Sequence, residues 1–145
     1  MTNQKRPLVL VVDDFEDARV LYGEYLVFCG YEVAEAVNGN EAIAKATALK
    51  PDVILMDLSM PLVDGWEATR RLKADARTKD IPIMALTGHA MAGHADSARS
   101  AGCDAVVTKP CLPQDLLLAI DTMLGPRAKA RLLRRNPDPD PGAGS

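Results

Sequence analysis

Short aliphatic runs alternate with segments of helical spacing along most of the chain. Leu8–Val12 (LVLVV) is apolar throughout and stops at two aspartates. From Phe15 to Cys29, the positions Ala18, Leu21, Tyr22, Tyr25 and Cys29 recur at helical intervals and predict one apolar face, ended by Gly30. Glu32–Ala36 places Val33 between glutamates, the pattern of an edge strand. Asn38-Gly39-Asn40 reads as a turn before an alanine-rich helix over Glu41–Leu49, closed by Pro51. Val53–Met56 is a second fully apolar run, and it stops at Asp57.

The second half repeats the pattern. Asp64-Gly65-Trp66-Glu67 has capping-box spacing and opens a helix to about Ala74. Ile81–Thr87 is the next strand, with Pro82 near its start, where a missing N–H is tolerated. Ala92–Ala101 reads as a weak helix of small residues, and Ala105–Thr108 as a fifth short strand. Pro113 starts a last helix whose apolar face is Leu116, Leu117, Ile120, Met123 and Leu124, stopped by Gly125-Pro126.

Five β–α pairs with near-continuous Val/Ile/Leu strands imply an α/β fold with a five-stranded parallel sheet covered on both faces. Right-handed crossovers make that sheet doubly wound. Ligands of such sheets sit outside the carboxyl ends of the strands. The 145-residue length fits one domain, and 48% hydrophobic content fills its core. No apolar run approaches the roughly 20 residues of a membrane span. The N-terminus lacks a secretory signal, so a cytoplasmic location is expected. Cys29, Cys103 and Cys111 have no metal-ligand spacing and read as reduced packing residues.

Charge divides the chain. Residues 1–126 carry 12 Lys/Arg and 18 Asp/Glu, a net −6, and residues 127–145 carry 5 and 2, a net +3. An acidic globular part argues against nucleic-acid binding. The division also suggests two regions, a domain over 1–126 and a tail over 127–145. Arg127–Arg135 has five basic residues and no acid. It reads as a flexible extension, with a helix carrying Leu132 and Leu133 as the alternative. Asn136–Ser145 is rich in Pro and Gly and is expected to be disordered.

The predicted strand ends carry Asp13-Asp14, Asp57, Thr87 and Lys109. Three carboxylates and one ammonium leave −2, and crowded carboxylates repel, so the site calls for a cation. Oxygen donors without His or Cys select a hard divalent ion, Mg²⁺ above all. Such a site leaves room for a phosphoryl group, which a carboxylate can take up as an aspartyl phosphate. Lys109 can neutralise phosphoryl oxygens, and Thr87 can hydrogen-bond one of them. Each piece has a plain structural alternative. The aspartate pair can cap the first helix, Asp57 can end a strand before a turn, and Lys109 can be a surface lysine. The coincidence of all four strand ends weighs against those alternatives.

Asp13-Asp14, Asp57 in DLSMP, Asp64-Gly65, Thr87 in ALTGHA and Lys109-Pro110 together resemble the receiver domain of bacterial response regulators, over residues 8–124. The resemblance implies a flavodoxin-like (βα)5 fold with strand order 2-1-3-4-5. It implies that Asp57 accepts a phosphoryl group from a histidine kinase or histidine phosphotransfer protein. It implies that Asp14, Asp57 and the Ser59 main-chain carbonyl bind Mg²⁺ directly, with Mn²⁺ as a substitute, while Asp13 acts through water. Thr87 and Lys109 would sense the phosphoryl group, and the Lys109-Pro110 bond would be cis. Output would run through protein contact or onward relay, from a stand-alone, monomeric or weakly dimeric signalling protein that is not an enzyme beyond self-phosphorylation from small donors and self-dephosphorylation.

Some positions depart from the pattern. Val106 stands where such receivers commonly carry Tyr or Phe, and a β-branched side chain has few χ1 options. Gly88 follows Thr87 and leaves the loop free to move. Cys111 replaces a larger apolar residue. Ser59 and His89 occupy positions that tune phosphate lifetime, and their modest size predicts ready hydrolysis. His89 and His94 otherwise read as solvent-facing residues, and Trp66 as partly buried packing. Alternatives are a phosphate-independent receiver-like scaffold, a receiver portion of a hybrid histidine kinase, and a Mg²⁺-dependent phosphatase or nucleotide binder. The last is disfavoured because no Walker or G-x-G-x-x-G sequence follows the first strand.

Overall fold

The computed structural model describes residues 6–58, 64–88, 102–109 and 111–135. The helix expected over 92–101 lies outside them, as do Ser59, His89, His94, Pro110 and the segment 136–145. Five strands, β1 (Leu8–Val12), β2 (Glu32–Ala36), β3 (Val53–Asp57), β4 (Ile83–Thr87) and β5 (Ala105–Thr108), form one parallel sheet in the order β2-β1-β3-β4-β5. This is the flavodoxin-like arrangement expected from the sequence. The helices are α1 (Glu16–Phe28), α2 (Gly39–Leu49), α3 (Asp64–Ala74), α4 (Pro113–Leu124) and, after a 3-10 turn at Gly125–Ala128, α5 (Lys129–Arg135). Among the described residues, no helix is long and apolar enough to cross a membrane.

The strands alternate side chains between two cores. Leu10, Val12, Ile54, Met56, Ile83 and Ala85 face α2 and α3, where Ala42, Ala46, Ala68 and Leu72 meet them. Val9, Val11, Val53, Leu55, Met84 and Leu86 face the other side, against Tyr22 and Leu26 of α1 and Leu116, Ile120 and Leu124 of α4. Every residue of β3 and β4 is buried, which is why those runs are apolar without alternation. β2 is an edge strand with Glu32 exposed, as its glutamates predict.

Local chemistry sets the helix ends. The Asn38 side chain accepts the Glu41 N–H at 2.8 Å and caps α2, while Lys50 ends it in the left-handed region at φ 52°. Gly65 brings α3 against the end of β3: a Cβ there would stand 2.7 Å from the Asp57 carbonyl oxygen. The α1 face is shifted from its predicted phase. Tyr22 and Leu26 are buried and Ala18 packs beside them, whereas Leu21 is 53% exposed. Val20, Leu21, Val27 and Phe28 give α1 a second apolar side, so composition alone did not say which side met the sheet.

Residues 125–135, expected in large part as a flexible extension, form the 3-10 turn and α5, and they pack. Ala128 is buried in the core. The Arg131 guanidinium donates to the Asp121 carboxylate at 2.7 and 3.0 Å and to the Cys29 carbonyl at 2.7 Å, and it lies over the Tyr31 ring. Leu132, by contrast, is half exposed. The contact that orders this segment is polar and depends on residues about 100 positions away, which helical spacing cannot reveal.

Candidate functional site at the carboxyl edge of the sheet

The register of the sheet assembles the site. Val12 pairs with Met56, Asp57 with Leu86 and Thr87 with Thr108, so the residues at these strand ends stand side by side. Asp13 follows β1, Asp57 closes β3, Thr87 closes β4 and Lys109 follows β5. Asp13 and Asp57 are almost wholly buried, Thr87 is buried, and Asp14 is exposed.

Carboxylate oxygens of Asp13, Asp14 and Asp57 lie within 4.8 Å of one another. The Lys109 Nζ stands 3.4 Å from Asp13 Oδ2 and 3.5 Å from Asp57 Oδ2. Its backbone N–H donates to the Thr87 carbonyl at 2.8 Å, which ties β5 to β4 at the site. Burial pulls the Lys109 ammonium down, but Asp57 and Asp13 outweigh it and its pKa is raised above the ordinary lysine value. Lys109 is therefore a cation across the neutral range. Three carboxylates against one ammonium leave an excess of negative charge at the end of a parallel sheet, and the donor set consists of hard oxygens.

The site brings together Asp13, Asp14, Asp57, Thr87 and Lys109. The exposed Gly88 follows directly. Val106 lies two residues along β5 from Thr108, opposite Ala85, and packs partly buried into the core on the α2–α3 side. Trp66 packs into the same core. Asp13 also serves the first helix, since its Oδ1 accepts the Phe15 N–H at 2.9 Å. The capping and site readings of that residue are compatible. Cys103 is buried and Cys29 and Cys111 partly so; all three are free thiols. Burial raises the thiol pKa of Cys103 and Cys111, as expected of packing residues.

Two further residues touch the site's backbone without having been predicted. Arg19 of α1 donates from Nη1 to the Asp13 carbonyl at 2.9 Å and from Nε to Glu35 Oε1 at 3.0 Å. The Tyr22 hydroxyl donates to the Cys111 carbonyl at 3.1 Å, two residues beyond Lys109. Both sit on the face of α1 turned toward the sheet. Helical spacing placed Tyr22 on that face but not Arg19, and the targets of both are main-chain atoms, which no side-chain pattern marks.

Residues 9–121 match the family model of the response regulator receiver domain. The polar-differentiation response regulator DivK of Brucella anthropi is 37% identical over 117 residues, covering 81% of this chain and 95% of that protein. Among solved structures, the chemotaxis protein CheY4 of Vibrio cholerae is similar at 32% identity and a TM-score of 0.77, over 83% of this chain and 100% of that one. The receiver domain of the sensor histidine kinase PA1611 from Pseudomonas aeruginosa, a structure with a magnesium ion coordinated in its active-site cleft, gives 29% identity and a TM-score of 0.76 over 83% and 98%. With its strand order and acidic cluster, this chain belongs to the response regulator receiver domain family, the phosphoacceptor modules of two-component signalling.

Proposed function

We propose that Asp57 is the phosphoacceptor and that Mg²⁺ is the ion held by its acidic cluster. The observation that carries this reading is the placement of a nearly buried Asp57 beside Asp13, Asp14 and Lys109, all within a few ångströms. An Asp57 carboxylate oxygen attacks phosphorus, the P–N bond of a phosphohistidine breaks, and the freed histidine nitrogen takes up a proton. The donor is a histidine kinase or a histidine phosphotransfer protein. Acetyl phosphate and similar small donors serve in its place, and water later hydrolyses the acyl phosphate.

Asp13, Asp14 and Asp57 suit Mg²⁺ because they offer hard oxygens and carry more charge than Lys109 cancels. The PA1611 receiver, with magnesium in its cleft, supports the same choice. When bound, Mg²⁺ supplies positive charge against the phosphoryl oxygens. Lys109 contributes its ammonium to those oxygens, and Thr87 contributes a hydroxyl from the end of β4. The Ser59 carbonyl, the cis Lys109-Pro110 bond and the tuning roles of Ser59 and His89 complete the reading. Gly65 keeps α3 close to the end of β3 so that Asp57 stays in place.

The signal leaves by protein contact or onward relay, from a cytoplasmic monomer or weak dimer. One surface suits contact: a groove of about 800 Å³ beside β5 and α4, lined by Pro82, Val106, Val107, Leu118, Ala119 and Met123 among others. With Val106 in place of a ring, a conformational readout runs through the loop after Thr87, the helix expected beyond it or another ring, and not through an inward-turning aromatic at position 106.

Intact mass after incubation with Mg²⁺ and acetyl phosphate tests the reading. One added phosphoryl group on the wild type, absent from Asp57→Asn, is the expected result. No addition to either protein, with the fold intact by circular dichroism, overturns it. That outcome leaves a phosphate-independent scaffold, the alternative that Val106 favours.

A further inference from the structure

The peptide joining Asp13 to Asp14 lies just past the last paired residue of β1, where Val12 still meets Ala36 and Met56. Its carbonyl has left the sheet ladder. Arg19 supplies the donor, at 2.9 Å, from a side chain only 13% exposed. The same guanidinium is anchored at 3.0 Å by Glu35 on β2, whose main-chain carbonyl in turn receives the Lys45 ammonium of α2. The rest of Asp13 is also pinned. Its N–H donates to Ala36, its Oδ1 accepts from Phe15, and its Oδ2 faces Lys109. Asp14 differs, because among the described residues no hydrogen bond holds its exposed carboxylate. The direction in which Asp14 points depends on the peptide before it, and Arg19 holds that peptide.

We propose that Arg19 is a positioning residue for the divalent-cation site, fixing the Asp13–Asp14 peptide so that the Asp14 carboxylate joins those of Asp13 and Asp57. The inference rests on the reading of the acidic cluster as a cation site. Two effects of removing Arg19 oppose each other. Coulomb's law alone predicts tighter cation binding, since a positive charge leaves and Glu35 is left unpaired. Loss of positioning predicts weaker binding, because partners behind metal ligands typically account for 10–100-fold in affinity. The planar fork spans a carboxylate and a carbonyl at once, which the single ammonium of lysine does not.

Mn²⁺ titration of the full chain, with free Mn²⁺ counted by electron paramagnetic resonance, separates the two effects. Arg19→Ala is expected to weaken binding by about tenfold, and Arg19→Lys by a smaller factor. Arg131→Ala, which loosens the opposite end of α1, is the control and is expected to keep the wild-type affinity. In metal-free protein the Phe15 amide, held by Asp13, is expected to exchange faster in Arg19→Ala. Equal or tighter Mn²⁺ binding in Arg19→Ala overturns the proposal, as does equal weakening in Arg131→Ala. Should Arg19→Ala not fold, wild-type affinity in Arg19→Lys overturns it. Wild-type protein that binds no Mn²⁺ rejects the cation site itself, a result distinct from any failure of Arg19.

Discussion

Lys109 does two jobs of opposite sign at the site. It is the cation that lets Asp13 and Asp57 sit buried together, and it competes with a metal for the same carboxylates. Lys109→Ala is therefore expected to tighten Mg²⁺ or Mn²⁺ binding while slowing labelling by acetyl phosphate on the order of 10²-fold. Calorimetric titration and intact mass read the two effects separately. Weaker cation binding in that variant would show that the ammonium orders the carboxylates more than it repels the ion. Gly65 is the other sensitive position. A Cβ there meets the Asp57 carbonyl at 2.7 Å and Leu58 Cδ2 at 3.1 Å, so Gly65→Ala must move α3 or the end of β3. A stability loss of about 1–3 kcal/mol is expected, with reduced Asp57 labelling at saturating Mg²⁺. Urea denaturation gives the first quantity and the labelling assay the second.

Among the elements, α5 shows how a short helix is held by one polar cluster. Seven residues cannot sustain a helix by themselves. Arg131 fastens α5 to Asp121 of α4 and to the Cys29 carbonyl at the end of α1, and the buried Tyr31 donates its hydroxyl to Asp121 at 2.6 Å. Gly30 is required there twice: its φ is 103°, and a Cβ would stand 2.3 Å from the Arg131 carbonyl oxygen. Arg131→Ala is expected to lower stability by about 1.5–3 kcal/mol, the range for hydrogen bonds to charged groups, and Gly30→Ala by more than about 1 kcal/mol. Urea midpoints measure both. Unchanged midpoints would mean that α5 adds nothing to the domain.

The same cluster sets a pH range. Burial raises the Asp121 carboxyl, but Arg131 and Tyr31 outweigh it and its pKa is lowered overall. Its stabilisation is present above the unfolded carboxylate value and is lost as pH falls through the folded one. Burial, followed by the bond to Asp121, raises the Tyr31 pKa. Its contribution is present below the unfolded tyrosine value and is lost as pH rises through the folded one. A plateau from about pH 4 to about pH 10 is expected for this contribution. The difference in stability between wild type and Arg131→Ala, followed across pH, should shrink at the acid end, where Asp121 takes up its proton, and should not shrink at the alkaline end, because Arg131 lowers the Tyr31 pKa.

At the scale of the whole molecule, the acidic site is a stability cost that a cation relieves. Mg²⁺ that binds only the folded chain adds RT ln(1 + [Mg²⁺]/Kd), about 2.7 kcal/mol at a hundredfold excess over Kd. The melting temperature is expected to rise with Mg²⁺ in wild type and to rise little in Asp14→Ala, which lacks one of the three carboxylates. An equal rise in both proteins would place the ion elsewhere on this acidic chain.

Much of this molecule follows from one-dimensional pattern. Strand runs that must be covered on both faces are apolar without alternation, as in β1, β3 and β4, and these with the two edge segments β2 and β5 between helical segments determined a doubly wound sheet. The polar residues ending β1, β3, β4 and β5 then landed on one edge, because parallel strands share one direction. Asp13, Asp14, Asp57, Thr87 and Lys109 were legible for that reason. Other features depended on three-dimensional placement. Helical spacing placed Ala18 and Tyr22 on the side of α1 that meets the sheet, but with apolar residues on both sides it also put the exposed Leu21 there and left out the buried Leu26. Arg19 and Tyr22 act on main-chain carbonyls brought near by the fold. Arg131 finds Asp121, Tyr31 and Cys29 only after α1 and α4 have packed on one sheet face. Periodicity records which residues avoid water, whereas a hydrogen bond between distant residues needs a distance and a direction, which exist only once the chain has folded.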